Sequence, residues 1–176
     1  ENSTSYDSYT SGGTAAKVYE IASPFTEAML FNINFTQSAD VMYIVEESLK
    51  PRKLTRTGHT AWTLTEVDFK RGPYLDQNTS STTMTPSGTS GSVTITASSS
   101  TFVANDVGRL IKIKTGHAKI TGYTSGTQVA ATTTDDFAAT SAETEWSLGA
   151  WCSVNGYPKT VSFFEQRLVF GGSTAY

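Results

Sequence analysis

The chain has 176 residues, of which 38% are apolar and 16% are charged, and its formal net charge is −3. This length suits one domain or two small ones, and the slight negative charge gives no global reason to bind nucleic acid or an anionic membrane. The single cysteine, Cys152, excludes an internal disulfide, and no apolar run approaches the ~18 residues of a membrane span, so we expect a soluble chain without membrane insertion.

Residues 1–16 are polar and rich in Ser and Gly, which predicts a flexible arm. Residues 17–21 are typical of a short strand. Ser23 and Pro24 then have the residue types of an N-cap and a first helical position, so a short helix is expected at about 24–30. Because the sequence begins without Met and ends in strand-like residues, we expect a fragment or a processed product of a longer protein.

Three strands joined by short turns are predicted next. Residues 41–45 are continuously apolar, as in a strand covered on both faces, and residues 49–56 form a more polar strand. Trp62, Leu64 and Glu66 would share one face of the third strand. This pattern predicts an antiparallel meander, which is also most of one propeller blade.

Residues 76–92 are rich in Thr, Ser and Gly and predict a linker. Five short strand-like runs follow, at residues 92–97, 109–114, 117–121, 127–131 and 145–148. They predict a small five-stranded β-barrel, because closure removes exposed strand edges. We therefore predict an all-β chain in which a barrel at 82–150 is inserted into a blade-like unit formed by residues 17–78 and 151–176.

The stretch GYPKTVSFFEQRLVFGG, residues 156–172, predicts a terminal β-hairpin. A hairpin alone is marginal in water, so we expect it to join the sheet of residues 40–70 or a strand near residues 18–21. The apolar residues expected to be buried in it are Val161, Phe163, Leu168 and Phe170.

No enzyme site is evident from residue types and spacing. His59 and His117 each lie beside a glycine, which predicts solvent-exposed turn histidines, and Cys152 is expected to be a small buried apolar residue. The carboxylate pair Glu46 and Glu47 lies in a turn, where charges are usually solvated. We therefore predict no catalytic residue, no metal site and no cofactor.

The strongest local charge feature is LKPRKLTR, which places the cations Lys50, Arg52, Lys53 and Arg56 close together. In a regular strand, Arg52 and Arg56 project from one face and Lys53 from the other. Two interpretations remain open: a surface that contacts phosphates or a partner, and a solvated strand face whose charges discourage edge pairing.

Three sequence stretches resemble known families. QSADVMYIVEESLKPRKLTRTGHTAWTL (37–64) and GYPKTVSFFEQRLVFGGSTA (156–175) resemble the blade signatures of tailed-phage tail nozzle proteins, the family called tail tubular protein B, which are β-propellers. The stretch at 91–125, GSVTITASSSTFVANDVGRLIKIKTGHAKITGYTS, is similar to the small β domain called FCCH in ubiquitin-activating enzymes.

The nozzle resemblance implies a phage virion structural protein, made in the bacterial cytoplasm and located in the tail tube through which DNA exits. Implied partners are other tail or portal-proximal proteins, further copies of the full-length parent, and DNA in transit. The hairpin motif implies structural roles for Tyr157, Pro158, Phe163, Arg167 and Phe170.

An alternative of a different class is a binding module on a phage tail. In this alternative, the barrel recognises a host-surface glycan or another tail protein through the aromatic residues Tyr123, Trp146 and Trp151. A cell-wall hydrolase is the least favoured interpretation.

Overall fold

The computed structural model describes residues 5–7, 14–17 and 19–173. Strands make up 49% of the structure and helices 6%, which confirms the predicted all-β class. Within the described residues, the strands pair antiparallel and form sheets of two, four, six and two strands.

The N-terminal region contains one small sheet, in which β1 (Ser5–Asp7) pairs with β2 (Thr14–Ala16). The rest of the predicted flexible arm, residues 1–4 and 8–13, lies outside the described residues. The strand predicted at 17–21 is wrong for its described residues, which have no strand pairing. Tyr19 and Ile21 instead line a shallow groove beside Trp62.

The predicted short helix begins later than expected. A 3₁₀ helix spans Glu27–Asn32, and its first hydrogen bond runs from the Met29 amide to the Thr26 carbonyl at 3.0 Å. The Ser23 hydroxyl accepts a hydrogen bond from the Phe25 amide at 3.2 Å. Ser23 therefore stabilises a local turn ahead of the helix rather than capping it.

The four-stranded sheet, called the meander below, follows chain order. It consists of β3 (Asn34–Ser38), β4 (Val41–Glu46), β5 (Leu49–Gly58) and β6 (Ala61–Glu66). Strands β4 to β6 confirm the predicted meander, and β3 extends it by one strand. The expectation that β4 is covered on both faces is wrong, since within it only Val45 and Glu46 are buried.

The six-stranded sheet curls into a half-barrel. Its strands are β7 (Met84–Pro86), β8 (Ser92–Ala97), β9 (Leu110–Ile113), β10 (Gly116–Ser125), β11 (Gln128–Asp135) and β12 (Trp146–Leu148), with a 3₁₀ helix at Ala104–Asp106 between β8 and β9. The spatial order is β12-β9-β10-β11-β8-β7. The five predicted strands are present, but β7 lies in the predicted linker 76–92.

The half-barrel encloses the main apolar core. Met84, Ile95 and Ile111 are fully buried there, and alternate residues of its strands point inward. Met84 of the edge strand β7 also forms an isolated bridge with Glu143, which precedes β12. Met84 therefore belongs to the core, which explains why the Thr-rich sequence around it is ordered as a strand rather than a linker.

The segment between the meander and the half-barrel runs along β12. The Leu75 amide donates to the Leu148 carbonyl and the Asn78 amide to the Trp146 carbonyl, both at 2.8 Å. Tyr74 forms an antiparallel bridge with Gly149. This backbone pairing covers the edge of β12. The segment that connects the meander to the half-barrel is therefore hydrogen-bonded to the half-barrel.

The terminal hairpin forms its own two-stranded sheet from β13 (Thr160–Phe164) and β14 (Arg167–Gly171). It packs against the meander without joining its ladder. The Val161 amide donates to the Asn34 side-chain carbonyl at 3.0 Å, and the Lys159 ammonium lies 2.5 Å from the Glu47 carboxylate. Val161 is buried, as predicted, and so is Pro158.

Three predictions for the hairpin are wrong, the first being that it joins another sheet, since within the described residues β13 and β14 pair only with each other. Leu168 and Phe170 are partly rather than fully buried. Phe163 is 38% exposed, because it lies toward the turn, where its ring contact is the edge-on ring of Tyr43 at 6.1 Å. Arg167 is exposed and has no hydrogen-bond or carboxylate partner within the described residues, rather than lying between strands. It pairs with Phe164 beside the turn at Glu165 and Gln166, so its side chain extends from the end of the hairpin rather than from its middle.

Candidate binding cleft

A cleft of about 320 Å³ lies between the meander and the half-barrel. It is lined by residues from both sheets and from the segments that connect them, including Lys50 of β5, Glu66 of β6, Lys119 of β10 and Trp151 after β12. Small-molecule sites commonly have volumes in the range of about 300–1,000 Å³. The cleft is therefore large enough to hold a small ligand.

An aromatic cluster supports one wall of the cleft. Phe69, Trp151 and Phe170 contact one another edge to face, with ring centroids 5.1, 5.4 and 6.0 Å apart. Each comes from a different segment: the end of the meander, the chain leaving the half-barrel, and the terminal hairpin. Since such contacts add to the burial energy of the rings, the cluster joins the three segments and fixes this wall.

Two ion pairs lie on the polar side of the cleft. The Lys50 ammonium is 3.4 Å from the Glu66 carboxylate, and the Lys119 ammonium is 3.0 Å from Asp68. The neighbouring cations Lys70 and Lys119 hold the pKa of Asp68 below its usual range, chiefly through hydrogen bonds. All four charges are partly exposed, so ammonium donors and carboxylate acceptors are both available to a ligand.

A buried ion pair supports the half-barrel residues of the cleft lining. The Arg109 guanidinium donates to the Asp106 carboxylate at 2.7 Å and to the Gly149 carbonyl at 2.7 Å. Asp106 also accepts a hydrogen bond from the Val103 amide at 2.8 Å. These contacts fix the turn that carries Gly108 into the cleft lining.

Beside the cleft, the connecting segment makes polar contacts with the half-barrel. The Tyr74 hydroxyl lies 2.6 Å from His117 Nδ1, and the Arg71 guanidinium donates two hydrogen bonds of 2.7 Å to Asp135. Burial raises the pKa of Tyr74 and lowers the pKa of His117. Arg71 lowers the pKa of Asp135 through the same hydrogen bonds.

The predictions of solvent-exposed Glu46 and His117 are wrong. The Glu46 carboxylate is 3% exposed and accepts a hydrogen bond from the Ser48 amide at 2.9 Å, since the turn after β4 folds back over it. His117 lies in β10 and is half-buried against Tyr74. Cys152 is buried, as predicted, and His59 is exposed in a turn, as predicted.

The four predicted cations do not act as one group. Lys50 and Arg52 both pair with Glu66, and Arg56 pairs with Asp40 at 3.1 Å. Arg56 also lies over the Trp62 ring, with the guanidinium carbon 5.9 Å from its centroid. Lys53 is exposed and has no carboxylate partner within the described part of the chain.

The three predicted binding aromatics lie in different places. Trp151 lines the cleft, whereas the Trp146 indole donates to the Thr82 carbonyl at 2.9 Å and lines a second cavity, beside Lys112. Tyr123 is 41% exposed on β10. Only Trp151 of these three belongs to the cleft lining.

Sequence reasoning missed most of the cleft. Phe69, Asp68 and Lys119 were not singled out, and Tyr157 was assigned to the hairpin motif alone, although it also lines the cleft. A local signal existed in VDFKRGPY, where an aromatic and charged run precedes Gly72-Pro73. That signal does not reveal Lys119, which only the fold brings to Asp68.

The part of the chain that the structure describes contains no cluster of three or more His, Cys, Asp or Glu side chains arranged to hold a metal ion. It also contains no helix long and apolar enough to cross a membrane. Comparison with protein-family models finds no matching family, and comparison with curated protein sequences finds no match.

Proposed function

We propose that this chain is a structural component of a tailed-phage virion, within the nozzle of the tail tube. The proposal is supported by the blade-like signatures at 37–64 and 156–175 and by the antiparallel meander that the first of these forms. In this role the chain contributes surfaces for assembly with other tail proteins and with further copies of itself, and it catalyses no reaction.

The observation that carries the proposal is the exposure of three large apolar side chains in the edge strand of the meander and in the helix before it. Phe31 is 97% exposed, Phe35 on the edge strand β3 is 59% exposed, and Leu30 is 55% exposed. The three residues lie within six positions of each other, in the 3₁₀ helix and the strand that follows it. Large apolar side chains exposed together are typical of protein–protein contact surfaces.

DNA contact is a minor part of this proposal. The net charge is −3, and Lys50, Arg52 and Arg56 are each paired with a carboxylate. Lys53 is therefore the cation of this group best placed to meet a phosphate. A tube that lets DNA pass has no need of a strongly cationic wall, which would retain the DNA.

The proposal is tested by mass spectrometry of purified infectious particles. We expect peptides of this chain in the particles. Phe31→Glu is expected to remove the protein from particles without changing its Tm, because Phe31 is almost fully exposed. Phe164→Glu is the matched control, since Phe164 is 66% exposed on the terminal hairpin. Absence of the unmodified protein from infectious particles would overturn the proposal.

A further inference from the structure

We propose that the cleft between the meander and the half-barrel is a binding site for a neutral pyranose sugar. This inference goes beyond the structural role and does not depend on it. It rests on three observations: the size of the cleft, the aromatic residues on its wall, and the balanced charges on its polar side.

The cleft wall provides the apolar half of a sugar site. Trp151 and Phe69 line it, together with the aliphatic residues Val67 and Leu110. A pyranose ring has a face of C–H groups that can pack against aromatic and aliphatic carbon, while its hydroxyls remain at the rim. Because Trp151 is fixed by its contacts with Phe69 and Phe170, little side-chain freedom is lost when a ligand binds.

The polar side provides the second half. Lys50 and Lys119 are donors only, whereas Glu66 and Asp68 are acceptors only. A hydroxyl group both donates and accepts, so one sugar hydroxyl can accept from an ammonium and donate to its paired carboxylate without breaking the pair. Hydrogen bonds to charged groups are stronger than those between neutral groups.

Tyr157 adds an unused polar group. It is half-buried, lines the cleft, and its hydroxyl has no hydrogen-bond partner within the described residues. Burial raises the pKa of Tyr157, so the hydroxyl stays protonated and can donate or accept. A polyhydroxyl ligand would satisfy it.

The same charges disfavour other ligand classes. A phosphate would meet Glu66 and Asp68 beside Lys50 and Lys119, so repulsion offsets attraction. An acyl chain would displace water from these charged groups and offer them no hydrogen bonds in its place. A neutral ligand rich in hydroxyls meets neither penalty.

The experiment is a titration of the isotope-labelled full chain, followed by amide and indole NMR signals. The probes are glucose, galactose, mannose and N-acetylglucosamine, with inorganic phosphate as the charged comparison. We expect at least one hexose to shift the Trp151 indole signal and the backbone signals of Gly108 and Gly149, which line the cleft.

Variants locate the site. Asp68→Asn and Tyr157→Phe are expected to weaken hexose binding about tenfold or less, in line with the loss of one hydrogen bond. The matched controls are Asp40→Asn, which alters an ion pair outside the cleft lining, and Tyr123→Phe, on the outer part of β10. Both controls are expected to bind like the unmodified chain.

Three results would overturn the inference: no shift with any hexose, shifts with phosphate alone, or hexose binding that neither Asp68→Asn nor Tyr157→Phe weakens. None of these results would affect the virion proposal, because that proposal is tested by a different experiment, the mass spectrometry of purified particles. Conversely, absence from particles would leave the hexose titration unaffected.

Discussion

The Tyr74 hydroxyl and His117 Nδ1 lie 2.6 Å apart and join the connecting segment to strand β10 of the half-barrel. A neutral histidine can accept this hydrogen bond at Nδ1, whereas a protonated one has a proton on both nitrogens. The contact therefore ties the packing of this segment to the charge of His117.

This contact predicts a stability that depends on pH. Burial lowers the pKa of His117, although Asp135 opposes the shift. The unfolded chain therefore binds more protons than the folded one as pH falls below the ordinary histidine pKa of about 6.5, and stability is lost in that direction. We expect Tm to fall on acidification through this range and His117→Gln to flatten the fall. The control variant His59→Gln should show the same fall in Tm as the unmodified chain. If His59→Gln flattened the fall as much as His117→Gln, the attribution to His117 would be wrong.

The buried ion pair of Asp106 and Arg109 predicts a large effect of removing one partner. Asp106 is 1% exposed, and Asp106→Ala leaves the Arg109 guanidinium buried without its carboxylate. We expect a loss of about 3–5 kcal/mol in the free energy of unfolding, measured by urea denaturation. Lys70→Ala, which removes an exposed ion pair with Asp68, is the control and should cost about 1 kcal/mol or less. Similar costs for both variants would contradict the structure.

Substitution by alanine should cost much more stability at Gly116 than at Gly122, although both lie in β10. A Cβ atom at Gly116 would lie 2.5 Å from the Phe137 ring and 2.7 Å from its Cα, whereas at Gly122 the nearest atom would be 3.6 Å away. We expect Gly116→Ala to cost about 1–3 kcal/mol or more, because backbone must move. Gly122→Ala should change stability by roughly 0.5 kcal/mol or less. Chemical denaturation of both variants measures the difference.

The half-barrel predicts how its isolated segment behaves. Residues 82–150 contain β7 to β12 and the main core, so we expect them to fold alone with a cooperative thermal melt. A segment of residues 74–150 should melt at a higher temperature. It adds the Leu75 pairing with β12 and the Asn78 side chain, which donates to the carbonyls of Thr82 and Thr144 at 3.1 and 3.0 Å. A non-cooperative melt of both segments, without a protease-resistant core, would contradict autonomous folding.

The all-β class, three of the four strands of the meander and five of the six strands of the half-barrel were predictable from the sequence alone. These follow from alternation and turn residues, which act over a few neighbouring positions: Val93 and Ile95 alternate with Thr94 and Thr96 in β8, for example. The burial of Cys152 was also predictable, because an unreactive cysteine usually packs as a small apolar residue.

Which distant residues meet depends on how the strands pack in three dimensions. Met84 lies in a Thr- and Ser-rich stretch that reads as a linker, and its strand forms because the half-barrel core buries it completely. Lys119 and Asp68 are 51 positions apart, and their pairing depends on how the meander packs beside β10. Arg167 shows the converse: its motif favoured a buried structural role, but its place beside the hairpin turn leaves it in water. Local pattern sets which residues form strands, whereas burial and charge pairing depend on the packing of strands far apart in the chain.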